Sequence, residues 1–211
     1  MHRLPQGWGL QLILCNIINN VYMSNIIIFG APGSGKGTQS ERLIEKYNLR
    51  HISTGELLRD HIARKTELGV VADSYCSRGQ LIPDDLMIEI LANTIDNDSE
   101  ISKGLILDGF PRTIPQARAL KQLFAERGMK VDAVIGLEVP EEELVERLLK
   151  RGQESGRADD NLETINKRLE VYHNQTLPLR DYYITEGQYR PIHATGSIDE
   201  IFNRITDAIE A

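Results

Sequence analysis

Cysteine and tryptophan are scarce in this 211-residue chain, which holds only Cys15, Cys76 and one tryptophan. Two cysteines so far apart exclude a disulfide framework and a zinc ribbon, and their rarity points to a reducing, cytoplasmic setting. An excess of positive charge is also missing. Lys plus Arg number 24 against 31 Asp plus Glu, for a net charge of -7. Sequence-independent nucleic-acid binders are normally basic, so that class is disfavoured. An anionic ligand would have to be held by a local cluster of donors. Long apolar runs are lacking too. Leu10 to Val21 is interrupted by Asn16, Asn19 and Asn20 and is too short to span a bilayer. His2 and Arg3 precede it, but no small-residue cleavage site follows. Repeats, linkers and low-complexity tracts are absent.

What is present reads as one globular domain. Hydrophobic residues make up 41% and charged residues 26%, close to the globular average, which excludes disorder and a multi-span membrane protein. The length suffices for a full core without staples. Residues Met1–Tyr22 read as an extension outside the fold, with Met23 as the expected start, because Ser24 onward reads as a first strand. A membrane-tethered form using Leu10–Val21 is the rival reading of that extension.

From Asn25 onward, short branched runs alternate with helical patterns. Ile26–Phe29, Leu105–Leu107 and Val134–Val139 suit strands covered on both faces, with His51-Ile52 and Arg190–His193 as weaker candidates. Helices are expected over Gly37–Tyr47, Gly55–Arg64, Asp84–Asp96, Pro115–Arg127, Glu141–Lys150, Leu162–Thr176 and Asp199–Glu210. Pro140 before three glutamates marks a helix start, Ser197 with Glu200 fits a capping box, and Gly128 is a stop. This alternation implies an α/β fold with a mostly parallel sheet.

The segment Gly30-Ala31-Pro32-Gly33-Ser34-Gly35-Lys36-Gly37-Thr38 lies between the first strand and the first helix. Glycines let successive N–H groups point at one anion, the helix N-terminus adds its positive end, and Lys36 supplies a full charge. That is a phosphate cradle of the P-loop type. It departs from the generic pattern in one respect: Gly37 follows the lysine, and the hydroxyl arrives one residue later as Thr38. No N-K-x-D base-reading motif is present, which disfavours a GTPase.

A second stretch, Leu105-Ile106-Leu107-Asp108-Gly109-Phe110-Pro111-Arg112, ends a strand in an acid and then delivers an arginine. Taken with Gly30–Thr38, Ser53-Thr54-Gly55 and Gly156-Arg157-Ala158-Asp159-Asp160, it resembles the nucleoside monophosphate kinases and, among them, the adenylate kinase family. The resemblance runs from about Asn25 to the C-terminus and leaves Met1–Tyr22 uncovered. It implies the reaction ATP + AMP ⇌ 2 ADP with magnesium. The fold it implies is a P-loop NTPase core of about five parallel strands flanked by helices. Residues 23–211 would form the kinase domain, with a mobile monophosphate-binding segment at 53–82 and a lid at 151–160. Only five residues separate Arg151 from Arg157, so the lid is the short form and, lacking cysteines, holds no structural zinc.

The same resemblance assigns roles. Gly33, Ser34, Gly35, Lys36, Gly37 and Thr38 hold ATP phosphates, with Arg151 and Gly196 also on ATP. Lys36, Arg112, Arg147, Arg157 and Arg168 form the catalytic ring of cations. Thr54, Gly55, Arg59, Gln80, Leu81, Ile82, Gly109, Phe110, Pro111, Arg112, Gln116, Arg157 and Arg168 bind AMP. Asp159 and Asp160 tether the closed lid, and Asp108 orients magnesium through water.

Plainer readings stand beside several of these. Arg147 lies four residues after Glu143, which would suit a solvated ion pair on a helix face. Thr54 could be a helix N-cap, and Thr113 with Gln116 fits a capping box. His173 and Tyr172 read as packing residues, and Leu86, Met87, Ile90 and Leu91 as a core stripe. The partners expected are nucleotides alone, with the protein a monomer that uses neither nucleic acid nor membrane. The alternatives are a uridylate or cytidylate kinase of the same mechanism, and a non-catalytic nucleotide-binding regulatory module.

Overall fold

The computed structural model describes residues 25–157 and 159–211. The apolar run at Leu10–Val21, the start at Met23 and Ala158 lie outside the described residues. Five strands form one sheet: β1 (Asn25–Gly30), β2 (Arg50–Ser53), β3 (Leu105–Asp108), β4 (Ala133–Glu138) and β5 (Tyr189–His193). Their order is β2-β3-β1-β4-β5, and every pairing is parallel.

Alternation along β1 explains why its run is continuously apolar. Ile26 and Ile28 face one side of the sheet, where Leu43 and Ile201, Ile205 and Ile209 cover them. Ile27 and Phe29 face the other, against Leu91, Leu120 and Phe124. Leu43 lies on α1 (Lys36–Tyr47). The same chain continues through α2 (Thr54–Ala63), α3 (Glu67–Cys76), α4 (Asp84–Asp96) and α5 (Ile114–Glu126). After β4 come α6 (Glu141–Ser155), α7 (Leu162–Val171), a π-helical turn at Tyr172–Thr176, α8 (Leu179–Thr185) and α9 (Ile198–Glu210). A third, smaller cluster joins Leu144 and Leu148 of α6 to Ile165 and Leu169 of α7 beneath Ala31.

All five expected strands are present. Helices α3 and α8 were not foreseen, α6 runs five residues past Lys150, and the expected helix Leu162–Thr176 changes to a π turn after Val171. The expected signals hold at three ends. Ser197 and Glu200 form both arms of a capping box. Pro140 and three glutamates open α6. Gly128, at φ 66°, closes α5 with its N–H on the Ala125 carbonyl while Met129 N–H reaches that of Phe124. Among the described residues, no helix is long and apolar enough to cross a membrane.

Candidate active site

In a parallel sheet, ligands gather beyond the carboxyl ends of the strands, where the strand order reverses. Here β1 lies between β3 and β4, and the loops leaving β1 and β3 converge on a cavity of about 690 Å³. Its floor is the glycine loop. Gly30, Gly33 and Gly35 adopt φ of 151°, 85° and 91°. A Cβ on Gly33 would lie 2.9 Å from Leu148 Cγ and 3.0 Å from the Leu144 carbonyl, so glycine is required there for space as well as conformation. Gly35 caps α1 with no side-chain acceptor, leaving the first-turn N–H groups without a side-chain partner at the cavity.

Lys36 Nζ donates to the Gly30 and Ala31 carbonyls, each at 2.8 Å. Burial pushes its amine down to about 8; Asp108 opposes the shift, while Arg112, Arg168 and Arg151 add to it. Arg112 is also lowered by burial and then by Arg168, and its Nε donates to the Gly109 carbonyl at 2.8 Å. Burial and the neighbouring Arg157 lower Arg59. Among the described residues, Lys36, Arg59, Arg112 and Arg157 take no ion-pair partner. The walls thus carry a surplus of desolvated positive charge, which suits a polyphosphate.

Arg147 makes the expected ion pair with Glu143 at 2.5 Å, yet it also donates to the Ala194 carbonyl at 3.1 Å and lines the cavity. The plain reading, an ion pair on a helix face, therefore holds for a side chain that also lies on the cavity wall. Asp160, its side chain enclosed, accepts from Arg151 at 2.7 and 2.8 Å and from Arg168 at 2.8 Å; Asp159 pairs with Arg168 at 3.0 Å. Burial alone would raise the Asp160 carboxyl, but the two guanidiniums outweigh it and hold it below the usual range. These contacts tie the α6–α7 connection to Arg151 on α6 and Arg168 on α7.

A second cavity of about 300 Å³ opens beside the first, and Arg59, Arg112, Arg157 and Arg168 line both. Its remaining wall includes Thr54, Gln80, Leu81, Ile82, Met87 and Gln116. Every candidate site residue named from the sequence lines one cavity or the other, except Asp160, which is buried against Arg151 and Arg168.

Two local readings are corrected. Thr54 is not the cap of α2: Ser53 accepts from the Glu56 N–H, and Thr54 Oγ1 donates to the Gly109 carbonyl at 2.8 Å. Thr113 caps α5, accepting the Gln116 N–H at 3.3 Å, but the Gln116 side chain does not close a capping box. Its Oε1 accepts from Arg112 N–H at 2.7 Å and its Nε2 donates to Asp84 at 2.7 Å. Tyr172 packs as expected, on Phe29 with ring centroids 6.1 Å apart, and lines the larger cavity; His173 meets the Tyr172 ring edge-on at 5.5 Å between centroids, while its exposed side adds a contact to Glu141 at 3.0 Å. Sequence reasoning missed Asp84 altogether. As an acid in a first helical turn it reads as ordinary dipole compensation, and no spacing signals its partner 32 residues away.

A family model described as adenylate kinase matches residues 28–188. The chain belongs to the adenylate kinase family. It is 62% identical to an adenylate kinase of Phocaeicola vulgatus over 188 residues, covering 89% of this chain and 99% of that relative. The adenylate kinase of Bacteroides thetaiotaomicron is 60% identical over the same shares, and that of Porphyromonas gingivalis 53% over 89% and 96%. The protein is accordingly an adenylate kinase by function, a phosphotransferase of the nucleoside monophosphate kinase class. These relatives lend no support to the uridylate, cytidylate or non-catalytic readings.

Proposed function

We propose that this adenylate kinase holds MgATP in the larger cavity and AMP in the smaller one, and passes the terminal phosphoryl group between them to give two ADP. The observation that carries this reading is the junction: Arg112, Arg157 and Arg168 line both cavities, so a phosphoryl group travelling between them stays among cations. An AMP phosphate oxygen forms its bond to the γ-phosphorus as the bond to the β-bridging oxygen breaks. Such transfer asks for alignment and charge stabilisation, with no nucleophilic side chain.

The N–H groups of Gly33 to Thr38 and the Lys36 ammonium hold the donor phosphates, Lys36 leaving the Gly30 and Ala31 carbonyls to do so. Arg147, Arg151 and Gly196 attend the rest of the donor. Arg59 and Arg112 hold the AMP phosphate; Thr54, Gly55, Gln80, Leu81, Ile82, Gly109, Phe110 and Pro111 shape its pocket; Gln116 meets the base. Asp159 and Asp160 keep the short lid, 151–160, over the transfer path, and 53–82 moves with the acceptor. Closure excludes water, which would otherwise compete for the phosphoryl group.

Magnesium fits the donor set. Among the described residues, no three His, Cys, Asp or Glu side chains form a metal cage. Asp108 and Thr38 nonetheless line the larger cavity, and magnesium usually takes one or two carboxylates together with substrate phosphates and water. When bound it neutralises charge on the phosphates. Two cysteines cannot supply a four-thiolate zinc lid. We further place the kinase in the cytoplasm as a monomer, with 23–211 as its working domain and 1–22 outside it.

The test is ADP formation by residues 23–211 with MgATP and AMP, CMP, UMP or GMP as acceptor. Dependence on AMP is expected. A preference for UMP or CMP would overturn the assignment of Thr54 and Gln116, and nucleotide binding without turnover would overturn the reaction.

A further inference from the structure

We propose that Asp84 is a positioning residue that locks the Gln116 amide in one orientation, so that the smaller cavity accepts 6-aminopurine monophosphates and rejects 6-oxopurine ones. This rests on the reading of Gln116 as the residue that meets the acceptor base.

A carboxamide is ambivalent. Turned one way it offers an acceptor and a donor; turned by half a revolution it offers them in the opposite order. The edge of adenine presents a donor at N6 and an acceptor at N1. Hypoxanthine and guanine present the reverse, an acceptor at O6 and a donor at N1. An amide free to flip would satisfy either edge and select neither.

Gln116 is not free to flip. It is buried, and each end of its amide meets a group that works in only one sense. Asp84 Oδ1 can only accept, and it takes a hydrogen from Nε2 at 2.7 Å. The Arg112 backbone N–H can only donate, and it gives to Oε1 at 2.7 Å. A flip would set carbonyl oxygen against carboxylate and NH2 against N–H, breaking both bonds in a buried place. Asp84 is itself held, since its Oδ2 accepts from Thr113 Oγ1 at 2.9 Å. One Nε2 hydrogen and one Oε1 lone pair remain for the base, and their order along the amide is fixed. That order matches N1 and N6 of adenine and opposes N1 and O6 of a 6-oxopurine.

The experiment measures kcat/KM for AMP and for IMP with MgATP in the wild type and in four variants. Asp84→Asn and Asp84→Ser replace the obligate acceptor with groups that donate or accept, and so release the amide; the second serves if the first folds poorly. Asp85→Asn removes a neighbouring charge from the same helical turn without touching Gln116. Gln116→Leu tests the underlying reading. Releasing the lock should lower the AMP-to-IMP ratio by about tenfold, within the range of one well-placed hydrogen-bond pair. The change should come mainly through the acceptor KM, with the ATP KM unchanged and Asp85→Asn like wild type. An unchanged ratio in both Asp84 variants, an equal fall in kcat for both acceptors, or the same relaxation in Asp85→Asn would overturn the lock. If Gln116→Leu alone erases discrimination, the lock fails and the base reading survives. If Gln116→Leu leaves AMP affinity and the ratio unchanged, the base reading itself fails.

Discussion

The floor of the larger cavity is mostly backbone, whereas the wall of the smaller one is mostly side chain. On the donor side, three glycines at positive φ and an uncapped helix start do the shaping, and Lys36 is the charge set among them. On the acceptor side, Thr54 is tied to the Gly109 carbonyl, Gln116 is held at both ends, and Ile82 and Met87 give a fixed apolar surface. Backbone N–H groups recognise a phosphate chain common to all nucleoside triphosphates. A side-chain amide can tell one base edge from another. On this reading, tolerance is built into the first cavity and selectivity into the second.

The strongest way to break the contrast is Lys36→Met. Turnover should fall on the order of a hundredfold or more, the scale for losing a donor aimed at developing charge. Thermal stability should not fall with it, because the lost group is a cation disfavoured by burial. Initial rates and melting curves on one preparation check both halves; full activity would remove Lys36 from the phosphate clamp. Arg157→Ala should cost about as much in rate, since Arg157 lines both cavities. Unlike Lys36→Met, it should disturb both substrates, and a near wild-type rate would take it out of the cation ring.

Gly33→Ala sharpens the comparison. With φ at 85° and two atoms within about 3 Å of the new Cβ, it should destabilise the protein by about 1–3 kcal/mol. It should weaken MgATP more than AMP, read by titrating each ligand separately. The smallest effect is protonic. The Lys36 amine sits near 8 in the ligand-free protein, below its ordinary 10.5. A bound phosphate favours the ammonium, so binding near pH 8.5 should take up part of a proton, and ATP affinity should weaken as pH rises through 8. Calorimetry in buffers of different ionisation enthalpy measures the uptake; none at that pH would contradict the lowered amine. The same shift means the unfolded chain binds more protons between about 8 and 10.5. Lys36 therefore costs stability below 8, and that cost fades as the pH climbs.

The middle of the sheet was legible because β1, β3 and β4 are short apolar runs covered on both faces; the edge strands β2 and β5, with one isoleucine each, gave a weaker signal. The glycine loop on the cavity floor was legible because its glycines and lysine lie within one short segment, Gly30 to Gly37. Helix α3 was hidden by Gly69, which looks like a helix breaker. The structure needs it: a Cβ there would lie 2.0 Å from the His61 carbonyl, where α2 and α3 cross closely. Exposed Val70 and Val71 blurred the periodicity further. Helix α8, only seven residues long, falls below what an apolar pattern can define. The cap of α2 was misread because Ser53 and Thr54 are adjacent and chemically equivalent. Pairing of Ser53 with Asp108 in the sheet decides between them, and pairing is not local. Asp84 escaped for the same reason.

The central position of β1 also sets a schedule for the chain's birth. β1 is the first of the five strands to be synthesised, yet its neighbours are the third and the fourth. Ile26 waits for Ile106 and then for Ala133, about 80 and about 107 residues later. A ribosome adding roughly 5–20 residues per second needs on the order of 5–20 s to deliver the second of them. Until β3 is made, Ile26, Ile27 and Ile28 have no strand on either side, and until β4 follows they have one on one side alone. The strand that anchors the glycine loop is thus also the segment a nascent chain most needs to shelter.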